Sequence, residues 1–212
     1  MTDVLQEIFK GIIDGDTPLT VSKVEEALKQ GIDAETILNQ GMVASMAEVG
    51  KLFEAGEFFV PEMMVSARAM QNGLNLLKPH LVKANVKSAG KVAAGTVQGD
   101  LHDIGKNLVC LMLEGAGFEI IDLGVNVTPQ QFIDAIRTKG AEFIVMSALL
   151  TTTMTSMQDT ITALKESGLR DKVRVMVGGA PVTEQYAAQI GADGYAPDAS
   201  RAVTLAKRLM EI

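Results

Sequence analysis

Tryptophan is absent from this chain, cysteine occurs once, and histidine and tyrosine twice each in 212 residues. With aromatics at 4%, the stacking platforms that grip unpaired bases are missing. Basic residues are outnumbered too. A net charge of −7 opposes the clustered Lys and Arg that a phosphate backbone requires, so no nucleic-acid partner is expected. No stretch approaches 18 consecutive apolar residues, which excludes a membrane-spanning helix. The opening Met1-Thr2-Asp3-Val4 has neither the basic nor the apolar region of a secretory signal. Cys110 alone can form no internal disulfide and leaves too few thiolates for a structural zinc site. A reducing, cytoplasmic setting is expected.

What is present falls into two patterns. Residues 1–88 read as helix throughout, with Val4, Ile8 and Ile12, then Val21, Val24 and Leu28, at helical spacing. Asp14-Gly15-Asp16 separates the first helix from the second, and Thr17-Pro18 suits a helix start. Gly31-Ile32-Asp33 ends the second. The third carries Ile37, Leu38, Met42, Met46, Val49 and Phe53 on one face, and Pro61 opens a fourth reaching Leu81. Four such helices with short turns make a small bundle. Residues 84–90 lack apolar periodicity and mark a linker, which places the domain boundary between 88 and 89.

From residue 89 to 212, strands and helices alternate. The expected strands are Val92–Val97, Phe118–Asp122, Phe143–Ser147, Val173–Val177 and Gly194–Ala196, with helical patterns between and after them. Five β-α units of this length imply an α/β domain with a flavodoxin-like, doubly wound parallel sheet. Right-handed crossovers then collect the loops that follow the strands along one sheet edge, where such folds bind ligands.

The loop after the first strand, Gly99-Asp100-Leu101-His102-Asp103-Ile104-Gly105-Lys106-Asn107, carries one of the two histidines. A lone histidine is more often a surface or core group than a ligand. Asp100 changes that balance: a carboxylate two residues away can hold Nδ1–H and aim Nε2 outward. Such a pair suits a metal-ligating imidazole and a catalytic base alike. A hydrolase triad is disfavoured because no Ser or Cys stands at a strand-to-helix elbow. A zinc or iron site is disfavoured because one histidine cannot supply the several ligands required. A metal already held by a macrocycle needs only an axial ligand, and that option survives. Gly99 eases the turn and Gly105 lies where a flat cofactor would approach the backbone. The loop fits neither the dinucleotide fingerprint nor the Walker A pattern. After the third strand, Ser147, Thr151, Thr152 and Thr153 offer more hydroxyls than one helix cap uses. After the fourth, Gly178-Gly179-Ala180 would let a ligand pass close to the main chain.

Together these residues resemble the cobalamin-binding region of corrinoid proteins and methionine synthase. The motif D-x-H-x-x-G is here Asp100, His102 and Gly105, followed at the family's spacing by Ser147-x-Leu149 and Gly178-Gly179. The N-terminal part resembles the helical cap of the same proteins through Val49-Gly50, Phe53, Gly56-Glu57, Phe59-Val60-Pro61-Glu62-Met63 and Ser66-Ala67. The resemblance implies a four-helix-bundle cap over 1–88 and a Rossmann-type cobalamin-binding domain over 89–212. His102 would replace cobalamin's own base below cobalt, with Asp100 hydrogen-bonded behind it and Thr153 closing a relay in which methionine synthase has serine. Gly99, Leu101, Asp103, Ile104 and Gly105 would lie under or beside the corrin. Ser147, Leu149, Thr151, Gly178, Gly179 and Ala180 would line the path of its nucleotide tail. Phe53, Val60 and Met63 are the candidates for an apolar lid, and the linker is the expected hinge.

The implied function is a methyl carrier that uses cobalamin, as cob(I)alamin and methylcobalamin, or a related corrinoid. A substrate-specific methyltransferase would load the methyl group, and a second methyltransferase acting on tetrahydrofolate or a thiol would take it. A reductive activase is a further expected partner, and no turnover is expected alone. A mutase subunit is disfavoured because the chain has no room for a catalytic barrel. A cobalamin-dependent transcription factor needs a basic DNA-facing module, and residues 1–88 hold 8 basic against 12 acidic residues. A cobalamin reservoir remains open, as does the identity of the methyl donor.

Overall fold

A computed structural model describes residues 2–211. The chain divides into two compact units, residues 1–88 with 114–117, and residues 89–113 with 118–212.

The first unit is helical. Helix α1 (Asp3–Ile13) buries Val4, Leu5, Ile8 and Ile12 on one face. Helix α2 (Thr17–Lys29) starts where Asp16 accepts the Leu19 N–H at 2.9 Å, with Pro18 in the first turn, where its missing N–H costs nothing. The third sequence pattern is not one regular helix. A short α3 (Ala34–Thr36), capped by Asp33, widens into a π-helical segment over Ile37–Val43 before α4 (Ala44–Glu54). Within that segment Ile37, Leu38, Gly41 and Met42 are all buried, and the added residue per turn lets neighbouring positions share the inward side. Gly41 lies against Ile8 and Leu5 of α1. Helix α5 (Val60–Lys83) begins with Glu62 accepting the Phe59 N–H at 3.0 Å. Ile8, Ile12, Val24, Met42, Val49, Met63 and Leu77 are fully buried between these helices.

The second unit is the expected parallel sheet. Strands β1 (Lys91–Thr96), β2 (Glu119–Asp122), β3 (Phe143–Ser147), β4 (Arg174–Gly178) and β5 (Gly194–Tyr195) lie in the order β2-β1-β3-β4-β5, all parallel. That is the flavodoxin order. Helices α6 (Ile104–Gly115), α7 (Pro129–Lys139), α8 (Thr155–Glu166), α9 (Glu184–Ile190) and α10 (Ala199–Leu209) follow the strands in turn. Thr128 accepts the Gln131 N–H, and the Gln131 side chain accepts the Thr128 N–H in return, a reciprocal cap followed by Pro129. The register decides where the loops emerge. Thr96 pairs with Ser147 and Ser147 with Gly178, so three strands end in one row and their loops open side by side.

Candidate functional site

At the end of β1 the chain leaves the sheet, and Gly99, with φ +85°, takes the left-handed turn that β-carbon-bearing residues avoid. The turn delivers Asp100 into a fully buried position. Its carboxylate meets five donors. Oδ1 accepts the His102 N–H at 3.1 Å and His102 Nδ1–H at 2.7 Å. Oδ2 lies 2.8 Å from the Leu149 N–H, 3.3 Å from the Leu150 N–H and 2.7 Å from the Thr153 hydroxyl. Thr153 Oγ1 also lies 2.9 Å from the Leu150 carbonyl, so its single proton has two acceptors in reach. Burial alone would raise the Asp100 pKa. The bonds from Thr153, Leu149 and His102 outweigh that and hold the carboxyl far below the usual carboxylate range. The shared proton of the Asp100–His102 bond therefore sits on Nδ1.

The two members of the pair are treated oppositely by the fold. The Asp100 side chain is 0% exposed and that of His102 51%. With Nδ1 engaged, Nε2 has no protein partner among the described residues. The His102 carbonyl is itself held at 2.8 Å by the Thr96 hydroxyl. Large apolar side chains stand exposed at the same edge, Leu101, Val125, Leu149 and Leu150 on loops and Ile104 at the start of α6, with Ile104 at 79%. An apolar rim left in water beside an oriented imidazole has the character of a binding surface. Among the described residues no three His, Cys, Asp or Glu side chains converge as a metal-binding group. The ring nitrogen left outside the hydrogen-bond network is His102 Nε2.

The other residues singled out from the sequence divide clearly. Asp100, His102, Leu149 and Thr153 form one network, and Thr153 is buried in it. Leu101, Asp103 and Gly105 are exposed around it, and Asp103 also bonds Asn107 Nδ2 at 3.1 Å. A β-carbon on Gly105 would meet nothing within 4 Å. Ser147 is half-buried and offers its carbonyl to the Val97 N–H, while Thr151 and Ala180 are exposed and outside the network. Gly179 has a reason internal to the protein: at φ +122°, an added β-carbon would stand 1.9 Å from the Ala148 carbonyl oxygen. Its neighbour Gly178 would bring one to 3.0 Å from the Ala196 carbonyl. Of the lid candidates, Val60 is exposed and Phe53 half-buried, but Met63 is fully buried and belongs to the core. Exposed apolar surface in that unit comes instead from Phe59, Val60, Met64 and Val65.

Two residues escape the sequence reading. Lys106, one residue past Gly105, is buried with its ammonium 2.5 Å from Asp122 Oδ1. Asn126, in the turn after β2, accepts the Gly99 N–H through Oδ1 at 2.8 Å. The strand order offered the signal, because β2 lies beside β1 and its loop must adjoin the His102 loop.

Two B12 binding domain models match the chain, one over residues 90–204 and a second over 4–78. Dimethylamine corrinoid protein 3 of Methanosarcina acetivorans is 44% identical over 207 residues, 98% of this chain and 97% of that protein. The trimethylamine corrinoid protein of Methanosarcina barkeri is 39% identical over 212 residues, covering 99% and 98%. Among solved structures, the methanol:cobalamin methyltransferase complex MtaBC of Methanosarcina barkeri superposes with TM-score 0.87 at 27% identity, covering 99% of this chain and 80% of that one. A cobalamin-binding protein of Desulfitobacterium hafniense DCB-2 gives TM-score 0.82 at 30% identity, with 98% of each chain covered.

Proposed function

Because the chain belongs to the B12-binding family of corrinoid proteins, we propose that it carries methyl groups between two methyltransferases, with His102 as the lower axial ligand of a bound corrinoid. The observation that carries this reading is the Asp100–His102 pair: a buried, five-donor carboxylate behind a half-exposed imidazole. The residues fit such a group. A corrinoid would need only one further nitrogen from the protein, and His102 Nε2, outside the hydrogen-bond network, could supply it. The apolar rim and the open space at Gly105 suit a broad flat ligand.

In this reading His102 Nε2 faces the metal, and Asp100 keeps the proton on Nδ1 and fixes the ring plane. Thr153 is the third member of the relay, able to turn its hydroxyl from Asp100 to the Leu150 carbonyl. Leu101, Asp103, Ile104, Gly105 and the Leu149–Leu150 rim would hold the corrinoid and keep water away from His102. Gly99, Ser147, Leu149, Thr151, Gly178, Gly179 and Ala180 border the tail of the corrinoid. When bound, the corrinoid supplies the cobalt at which the methyl group is taken up and released. The chain binds, orients and shields, and is not expected to turn over alone.

The names of its relatives favour a methylated amine as the donor, activated on a separate methyltransferase. The acceptor enzyme would pass the methyl group to tetrahydrofolate or a thiol, and a reductive activase would restore oxidised cobalt. Among the described residues no helix is long and apolar enough to cross a membrane. The test is spectroscopic. Loaded with methylcobalamin, the protein should show a base-off, histidine-ligated spectrum, and His102→Ala should lose it. An unchanged spectrum in that variant overturns the axial ligand. Transfer from a methylated amine, assayed with its methyltransferase, should fall with it. No methyl uptake by the wild-type protein from any donor enzyme would leave a reservoir as the better description.

A further inference from the structure

The turn after β2 does more than connect β2 to α7. Its backbone runs along β1 and past its end: the Leu123 N–H reaches the Ala94 carbonyl at 2.8 Å, Thr96 N–H the Gly124 carbonyl at 3.0 Å, and Val127 N–H the Thr96 carbonyl at 2.9 Å. Just beyond, Asn126 takes hold of the histidine loop from both sides of one residue pair. Its Oδ1 accepts the Gly99 N–H at 2.8 Å, and its own N–H donates to the Asp100 carbonyl at 3.0 Å. Asn126 has φ +53°, a left-handed conformation that asparagine tolerates better than most side chains. The turn is braced in turn. Asp122 Oδ1 accepts the Gly124 N–H at 2.8 Å and the buried Lys106 ammonium, which anchors the start of α6 to the same strand end.

These contacts matter because Asp100 cannot aim His102 unless its own main chain is fixed. The side chain of Asp100 is held by His102, β3-loop amides and Thr153, whereas the Gly99–Asp100 backbone is held by one local bond, Asp100 N–H to the Val97 carbonyl at 3.1 Å, and from outside the loop by Asn126. Glycine at 99 makes that backbone the softest point of the loop, so it is where an external clamp has most effect.

We propose that Asn126 is a positioning residue for the axial ligand, setting the orientation of His102 by clamping the Gly99–Asp100 segment. The proposal rests on the reading of His102 as a ligand to corrinoid cobalt. It touches neither metal nor substrate and acts only through Asp100.

The test loads the full chain with cobalamin, reduces it to the Co(II) state and reads axial nitrogen coupling by electron paramagnetic resonance. Asn126→Gly keeps the left-handed backbone and removes the acceptor, while Asn126→Asp keeps an acceptor at the same distance. Asn126→Gly should still bind cobalamin but shift the ratio of histidine-on to histidine-off protein roughly three- to tenfold toward off, the scale of one hydrogen bond. Asn126→Asp should restore the wild-type ratio. In the cofactor-free protein, amide exchange at Gly99 and Asp100 should quicken in Asn126→Gly alone. A wild-type ratio in Asn126→Gly, or an Asn126→Asp as impaired as the glycine variant, overturns the proposal. Wild-type protein that lacks nitrogen coupling overturns the axial-ligand reading instead, and takes this proposal with it.

Discussion

Two carboxylates anchor opposite edges of the same sheet, and they are used in opposite ways. Asp193, just before β5, accepts the Val175 N–H at 2.6 Å and pairs with Arg170 at 3.0 Å. Arg170 donates onward to the carbonyls of Gly191 and Val173. Both side chains are largely buried, and the guanidinium is directed at protein acceptors. Asp100, just after β1, gathers five donors to the two of Asp193, and one of the five is an imidazole that stands half in water with Nε2 directed away from the protein network. A closed pair of the first kind fastens strands. The second leaves its histidine partner half-exposed, as the proposed ligand role requires, and the decisive difference is that there only one member of the pair is buried.

The sharpest way to break the comparison is Asp100→Ala. It strands the part-buried Leu149 N–H and Leu150 N–H, leaves the buried Thr153 hydroxyl without its acceptor carboxylate and frees the histidine loop, so it should lower stability by roughly 1–3 kcal/mol in denaturant unfolding. It should also remove histidine ligation. The acid dependence has a definite sign. Asp100 is held below its unfolded pKa, so the unfolded chain binds more protons in the carboxylate range. The stabilisation is complete above the ordinary value of about 3.9 and drains away as pH falls below it. The stability gap between wild type and Asp100→Ala should therefore narrow on acidification. A gap that widens, or a variant as stable as wild type at neutral pH, would refute the account.

Arg170→Ala should come next, at roughly 1–3 kcal/mol, because Asp193 and the Gly191 carbonyl lose their buried partner. The axial-ligation spectrum should not change. A variant that kept its stability but lost ligation would erase the distinction between the two pairs.

Sequence alone went far with this chain because its signals were local and redundant. The five β-α units, Pro-bearing helix starts and the linker near residue 88 each follow from neighbouring residues. His102 and Asp100 are two residues apart, so their pairing was legible. The π-helical turn at Ile37–Val43 was not, since its apolar spacing serves a normal helix nearly as well. Gly178 and Gly179 read as room for a ligand, and sequence could not show that the carbonyls of Ala196 and Ala148 also crowd them, because those contacts are long-range. Met63 looked like lid material because an apolar residue carries no mark of which helix face is inward. Asn126 lay in a loop at that edge to which no motif drew attention, and its partner is 27 residues away.

The smallest effect on stability, and the most discriminating, is expected at Gly105. Most glycines of the fold are explained by left-handed backbone or by a neighbour, as Gly179 is. Gly105 is explained by neither: it sits in the first turn of α6, and a β-carbon there would meet open space. Within the protein alone, glycine at a helical position is a penalty, so Gly105→Ala should hold or raise the stability of the cofactor-free chain, by up to about 1 kcal/mol. If the space above it belongs to a flat ligand, the same methyl group should weaken cobalamin binding at least tenfold, and Gly105→Val more. Unfolding curves of the cofactor-free protein and absorbance titrations with cobalamin measure the two effects separately. Stability gained with binding lost would mark Gly105 as answering to the ligand, as proposed for His102. Binding retained by both variants would place the corrin elsewhere on the rim.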